Sequence, residues 1–312
     1  MQISIVVPCY NEEQCLPLFY DKIIEVLDSQ NIRYELLFVD DGSKDSTRDL
    51  IKGFCDSNPD VRGVILSRNF GHQSALIAGI EESKGDAVLM MDSDLQHPPS
   101  LIPEMINKLI EGYDVVNTIR LETKDSSFLK NVTSKYFYKL INSMSDVEIK
   151  PGAADFRLMN RKATDAFLTF NEKARFNRGL VSWMGFRTYY LNFEAPARAA
   201  GNSKYSVKKM FRFAKTGITS FSPKPLKIAS ILGVISLILG LTYGTYIIYK
   251  AYNGETVPGW ASTTLLILVL GGVQMVSVGI LGEYISMIYD EAKNRPLFFV
   301  QEILNKKEEK NF

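Results

Sequence analysis

"DAVLMMDSDLQHPP", Asp86 to Pro99, is the stretch on which the reading of this chain turns. An apolar run from Ala87 to Met91 leads straight into Asp92 and Asp94, with Ser93 between them and Gln96 two positions on. A short apolar run closed by turn residues reads as a buried strand. Two carboxylates that close disfavour joint ionisation unless a cation sits between them. Either the pair caps the helix that follows, or it holds a metal.

Working outward, "ISIVVP", "ELLFVD", "GVILS" and "DVVNTI" have the same strand character. Between the strands lie amphipathic stretches such as "PLFYDKIIEVLDS" and "SLIPEMINKLIEG". The alternation predicts βαβ units and a Rossmann-like, mostly parallel α/β sheet covered on both faces. Such sheets bind ligands beyond the carboxyl ends of their strands. Chemistry is therefore expected in "PCYNEE" (Pro8–Glu13), "DDGSKDST" (Asp40–Thr47), "SRNFGHQSA" (Ser67–Ala75) and "DSDLQHPP" (Asp92–Pro99). One such segment would mean little, because Asp and Ser commonly cap helices. Four along one edge point to a ligand.

Composition narrows the choice. Lys and Arg total 36 against 35 Asp and Glu, a balance that does not mark a nucleic-acid binder. Cys9, Cys15 and Cys55 lack metal-ligand spacing and fit free thiols in a reducing compartment. "MQISIVVPCYNEE" has neither the basic start nor the long apolar core of a signal peptide, and reads as the first strand of a cytoplasmic domain. No G-x-x-x-x-G-K-[ST] and no G-x-G-x-x-G after the first strand are present, which removes the usual triphosphatase and dinucleotide fingerprints. Carboxylates at a strand end suit Mg2+ or Mn2+ shared with substrate phosphates, hence a nucleotide diphosphate.

Two uncharged runs follow, Ile228–Tyr249 and Thr256–Gly282, each reaching the roughly 20 residues that a membrane-spanning helix needs. The link "KAYNGETVPGW" carries turn formers, and Tyr249 and Trp260 stand where interfacial aromatics belong. Lys204, Lys208, Lys209, Arg212, Lys215, Lys224 and Lys227 precede the hairpin, and Lys293, Arg295 and "NKKEEK" follow it. By the positive-inside rule both ends are cytoplasmic. In "YSVKKMFRFAKTGITSF", an apolar stripe (Val207, Met210, Phe211, Ala214, Ile218, Phe221) flanked by Lys208, Arg212 and Lys215 reads as a helix lying in the membrane interface; a core-packing helix is the alternative. The expected organisation is 1–204 cytoplasmic domain, 205–225 interfacial helix, 226–290 transmembrane hairpin and 291–312 cytoplasmic tail. Gly240 and Gly244 form a G-x-x-x-G that hints at a homo-oligomer.

Taken together, "VVPCYNEE", "VDDGSKDST", "RNFGHQSAL", "MDSDLQHPP", "ADFRLMNR", "RFNRGLVSWMGF" and "GNSKYSVKKM" resemble the ordered motifs of the A-type glycosyltransferases that load a sugar onto a polyprenyl phosphate. That group includes dolichyl-phosphate mannose synthases and bactoprenol glucosyltransferases. The chain is most similar to the latter, which share "ITSFSPKPL", two spans and "LGEYI". The resemblance implies an A-type glycosyltransferase fold with a membrane hairpin, in the bacterial inner membrane. It implies Pro8, Tyr10, Glu12, Asp40, Asp41, Asp92, Ser203 and Lys204 at the nucleotide sugar, and Asp92, Asp94 and Gln96 as metal ligands. Arg120, Ser134 and Arg175 are implied at the acceptor phosphate, and Asp94, Asp155, Arg120, Arg157 and Arg178 in catalysis; for Arg157 a structural salt bridge stays open. Where the family has "LQDPP", His97 stands for the acid, and His72 replaces a common Lys or Gln; each faces the site or serves only a surface or cap.

The implied reaction is transfer of one hexose from a UDP-sugar, glucose first and N-acetylglucosamine next, to undecaprenyl phosphate with inversion. The implied partners are a separate flippase and a downstream transferase. Without Q-x-x-R-W and with only two spans, a processive polysaccharide synthase is disfavoured. A catalytically dead membrane scaffold is the rival from another class.

Overall fold

The computed structural model describes residues 1–121, 150–173, 175–194, 196, 222–255 and 259–305. The chain divides into two compact units, one built on a sheet and one on two long helices. The predicted interfacial helix, 205–225, falls almost wholly outside the described residues.

The sheet has eight strands in the order β7-β5-β6-β4-β1-β2-β3-β8. Its centre is parallel: β1 (Gln2–Cys9) lies between β2 (Arg33–Asp40) and β4 (Ala87–Met90), with β3 (Val61–Leu66) beyond β2. β1, β3 and β4 are buried along almost their whole length, which is why they read as unbroken apolar runs rather than alternating ones. α1 (Leu16–Ser29), α2 (Thr47–Ser57) and α3 (His72–Glu81) connect these strands. On one face the core is a single cluster that includes Phe19, Ile23, Leu36, Phe38, Leu89 and Phe156, each large side chain worth about 1.5–3 kcal/mol on burial. On the other face α3 presses close to β1 and β2 because Gly79 has no Cβ; one there would collide with Val6 and Val39.

The rest of the sheet departs from a simple parallel alternation. β6 (Ala153–Asn160) inserts between β4 and β5 (Val115–Arg120) and runs antiparallel to both, while β7 (Thr188–Phe193) pairs in parallel with β5. Because β6 is reversed, its beginning, not its end, lies at the edge where β1 and β4 finish: Arg157 stands opposite Met90 and Asn160 opposite Ala87. α4 (Ile102–Ile110), α5 (Arg161–Leu168) and α6 (Asn177–Trp183) complete this half.

The segment expected as a tail returns to the sheet. β8 (Val300–Leu304) pairs antiparallel with the β3 edge. Asn305 Nδ2 donates to the Val61 carbonyl (2.7 Å), and Arg48 pairs with Glu302 (2.6 Å).

In the second unit, α7 (Lys224–Tyr252) and α8 (Trp260–Ala292) have mean hydropathies of 2.0 and 2.3 over their apolar windows and are long enough to cross a membrane. α8 continues past the apolar run through Glu283, Asp290 and Glu291, since Glu, Tyr, Ile, Met and Ala keep a helix going whatever their polarity. Tyr284 Oη donates to the Ser222 carbonyl at 2.7 Å, tying the start of α7 to α8.

Candidate functional site

The site is assembled at the carboxyl ends of the parallel strands. The loops after β1 and β2 lock into one another. Asn11, held at φ 53°, donates from its backbone to Ser43 Oγ (3.0 Å), and its side chain accepts from Lys44 N (2.8 Å). Glu12 N donates to Thr47 Oγ1 at 2.8 Å. Asp40, buried at the end of β2, accepts from Ser43 N (3.0 Å) and so shapes its own turn. Gly42 makes that turn possible: its φ is +68°, and a Cβ there would strike the backbone of Arg68 and Asn69. Pro8 is buried, whereas Tyr10 stands exposed at the edge.

Asp41, expected at the nucleotide, is engaged by the third loop. It is buried, and its two oxygens accept from Phe70 N (2.7 Å) and Gly71 N (2.9 Å). Burial raises its pKa even against those two bonds. With both oxygens spent on the third loop, Asp41 fixes the start of α3.

That start carries His72, whose Nε2 lies 3.5 Å from Asp92 Oδ1. On the other flank His97 Nδ1 accepts from Asp92 N at 2.9 Å, which leaves the ring proton on Nε2. The His97 ring is buried, stacked on Phe156 at 5.0 Å and edge-on to Phe193. It is therefore a cap inside the core, and the surface reading fails because two aromatic rings enclose the imidazole. Asp94 Oδ1 accepts from Gln96 N (3.1 Å) across Leu95, which adopts φ 60°. Asp92 and Asp94 are thus presented by a tight turn with an imidazole on either side of Asp92.

Among the described residues no three acidic, His or Cys side chains are grouped to hold a metal by themselves. Two carboxylates nevertheless fit Mg2+ or Mn2+, ions that take much of their oxygen shell from bound phosphates and water. Gln96, expected as a third ligand, directs its amide oxygen to Arg120 Nη1 at 3.4 Å.

The opposite wall comes from the reversed strand. Asp155 is gripped by a fork from Arg178 on α6 (Nε to Oδ1 3.3 Å, Nη2 to Oδ2 3.1 Å) and by Arg157 Nη2 (3.0 Å). Burial works to raise its pKa, but the Arg178 and Arg157 guanidiniums overcome it and hold the carboxyl well below the usual carboxylate range. Arg157 itself is only 2 % exposed and pairs with Asp155, the salt bridge left open as the alternative to a catalytic role. Arg175 lies over the Phe167 ring (5.4 Å) and donates to the Phe167 carbonyl (3.4 Å), contacts that tie it to α5. Ser134, Ser203 and Lys204 lie outside the described residues.

Sequence reasoning left His72 undecided and passed over Asn117 and Asn177, both buried beside Arg157. The signal for Asn117 was available: an amide inside the apolar strand "DVVNTI".

Comparison with known proteins identifies the family. Residues 4–168 match the family described as Glycosyl transferase family 2, and residues 224–288 match the GtrB C-terminal hairpin. The uncharacterized glycosyltransferase YkcC of Bacillus subtilis is 44% identical over 302 residues, covering 96% of this chain and 94% of that protein. An uncharacterized glycosyltransferase of Synechocystis is 42% identical over 304 residues, covering 97% and 96%. The bactoprenol glucosyl transferase of Shigella phage SfII is 38% identical over 302 residues, covering 96% and 98%.

Proposed function

The chain belongs to glycosyl transferase family 2, and from that premise we propose that it moves one hexose from a UDP-hexose, glucose first, to the phosphate of a polyprenyl lipid. The observation that carries the reading is the Gln96–Arg120 contact of 3.4 Å. It joins the carboxylate turn, suited to a diphosphate on a cation, to an exposed arginine suited to a second phosphate. Two phosphate-handling groups meeting at one edge is what transfer between two phosphates requires. Similarity to the bactoprenol glucosyl transferase of phage SfII supports the lipid acceptor.

A phosphate monoester carries about −1.5 to −2 charge at neutral pH, so its oxygen attacks without surrendering a proton to the enzyme. The new bond forms from that oxygen to the anomeric carbon. The bond from that carbon to UDP breaks on the opposite face, and its electron pair leaves with the diphosphate, inverting the configuration. Asp92 and Asp94 would hold a divalent cation, which would neutralise the diphosphate when bound. Asp155, kept ionised by its two guanidiniums, is a poor general base; it aims Arg178 at the acceptor side, where alignment and positive charge lower the barrier.

Basic residues on both flanks of the hairpin support cytoplasmic ends, with α7 and α8 read as the two spans. A donor screen tests the reading: purified protein, undecaprenyl phosphate, Mg2+ or Mn2+, and UDP- and GDP-hexoses, with products weighed by mass spectrometry. One added hexose from one UDP-sugar, abolished by EDTA, is expected. A ladder of hexoses would mean a polymerase, and no transfer from any donor would mean a scaffold.

A further inference from the structure

Next to the Asp155–Arg178 pair, Arg157 links two further buried polar residues, Asn117 and Asn177. Arg157 faces Asn117 across the β5–β6 ladder, and its Nη1 reaches the main-chain carbonyl of Asn177 at 3.5 Å. Asn117 and Asn177 are 6% and 3% exposed. Yet Asn117 Oδ1, Arg157 Nε and both ends of the Asn177 amide find no hydrogen-bond partner among the described residues. Native interiors rarely leave such atoms unpaired, because each has given up its water for nothing. Here they fall at adjacent positions.

Their chemistry is mixed. The two amide oxygens need donors, while the guanidinium Nε–H and the Asn177 NH2 need acceptors. Water is the small molecule that meets both needs, and polar, enclosed sites of this kind are where buried water is found. Local preference makes the pattern sharper. Asn117 occupies the middle of a buried strand beside Val115, Val116 and Thr118, where Asn is disfavoured and a β-branched residue would pack well. Arg157 meanwhile is anchored through Nη1 and Nη2 alone, which leaves the guanidinium unrestrained at Nε.

We propose that Asn117, Arg157 and Asn177 enclose a buried water site, and that the two asparagines are positioning residues that fix the Arg157 guanidinium under Asp155. The water supplies the missing Nε contact, the asparagines hold the water, and Arg157 with Arg178 sets the carboxylate at the acceptor wall. The positioning role rests on the transferase reading above; the water site does not.

The test uses isosteric pairs in the full-length protein: Asn117→Thr against Asn117→Val, and Asn177→Thr against Asn177→Val. Each pair has one shape and differs by a hydroxyl able to serve the water. The valine variants are expected to lose about tenfold or more in kcat with donor KM within about twofold, as a displaced catalytic group costs rate. The threonine variants stay within about threefold of wild type. Melting temperature gives a readout independent of the reaction. In a wet polar site each threonine variant melts at or above its valine partner; in a dry pocket the valine variant melts higher, because a buried hydroxyl without a partner costs stability. Should one pair fail to fold, the other decides. Indistinguishable Thr and Val kinetics in the presence of wild-type transfer, or valine variants melting above threonine ones, overturns the proposal. Absence of transfer by the wild type itself would instead count against the function, and the melting comparison would still judge the water site.

Discussion

At the scale of single residues the site is a balance of charge around Asp155. One carboxylate sits between two guanidiniums in a largely buried setting, so removing the carboxylate leaves two cations facing each other. Asp155→Asn is expected to cost about 3–5 kcal/mol, the usual penalty for an orphaned buried partner, read as a lowered denaturation midpoint. A variant as stable as wild type would mean that the cluster is not closed in solution. The pH dependence has a definite sign. Because the folded pKa lies below the unfolded value of about 3.9, the stabilisation is complete above that value and fades as pH falls through the folded pKa. Wild type should lose stability below about pH 4 more steeply than Asp155→Asn; parallel acid curves would contradict the assignment. The turn that carries Asp92 and Asp94 was legible, because a short apolar run closed by charged and turn residues marks the end of a buried strand. The loop-holding bonds of Asp41 were not: side by side in sequence, Asp40 and Asp41 look alike, and only the fold shows that Asp41 accepts from Phe70 N and Gly71 N.

At the scale of elements, strand direction decided what could be foreseen. The parallel strands β1 to β4 were legible because burial on both faces writes itself as an apolar run. β6 was legible as a motif but not as a strand. "ADFRLMNR" mixes charge with apolar residues, and an antiparallel insertion reverses the rule that chemistry follows a strand. β8 was hidden for a different reason: "VQEIL" is short, partly charged and largely exposed, with no period-two alternation to mark a strand, and resembles a tail. Its contribution is testable. Ending the chain before Val300 would uncover the β3 edge, and unpaired edges open and associate. Amides of Val61–Leu66 should then exchange faster with solvent while those of β1 stay protected; unchanged exchange would show that β8 does not hold the edge. Gly63→Val probes the same seam from the other side. Its Cβ would sit 2.9 Å from Ile51 and 3.0 Å from Leu304, and about 1–3 kcal/mol of destabilisation is expected from such overpacking. A variant that melts with wild type would show the seam to be loose.

At the scale of the whole molecule, one chain carries the sheet edge proposed above to handle phosphates and, in a second unit, two helices long enough to span a membrane. The hairpin was the most legible feature, since length and absence of charge suffice to define it. The proposed orientation makes a prediction that the native cysteines leave easy to read, because Cys9, Cys15 and Cys55 are all buried. In intact cells Asn253→Cys should react with a membrane-impermeant thiol reagent, and Asn305→Cys should react only after lysis. The reverse pattern would invert the topology. The central claim, that the carboxylate turn and Arg120 serve one transfer between two phosphates, is tested most directly by following radiolabel from UDP-glucose into the lipid phase with undecaprenyl phosphate as acceptor, for wild type, Asp94→Asn and Arg120→Ala. Labelled lipid in wild type, a loss of about a hundredfold or more in Asp94→Asn, and a raised lipid KM with unchanged donor KM in Arg120→Ala is the predicted result. Full transfer by both variants would contradict the account.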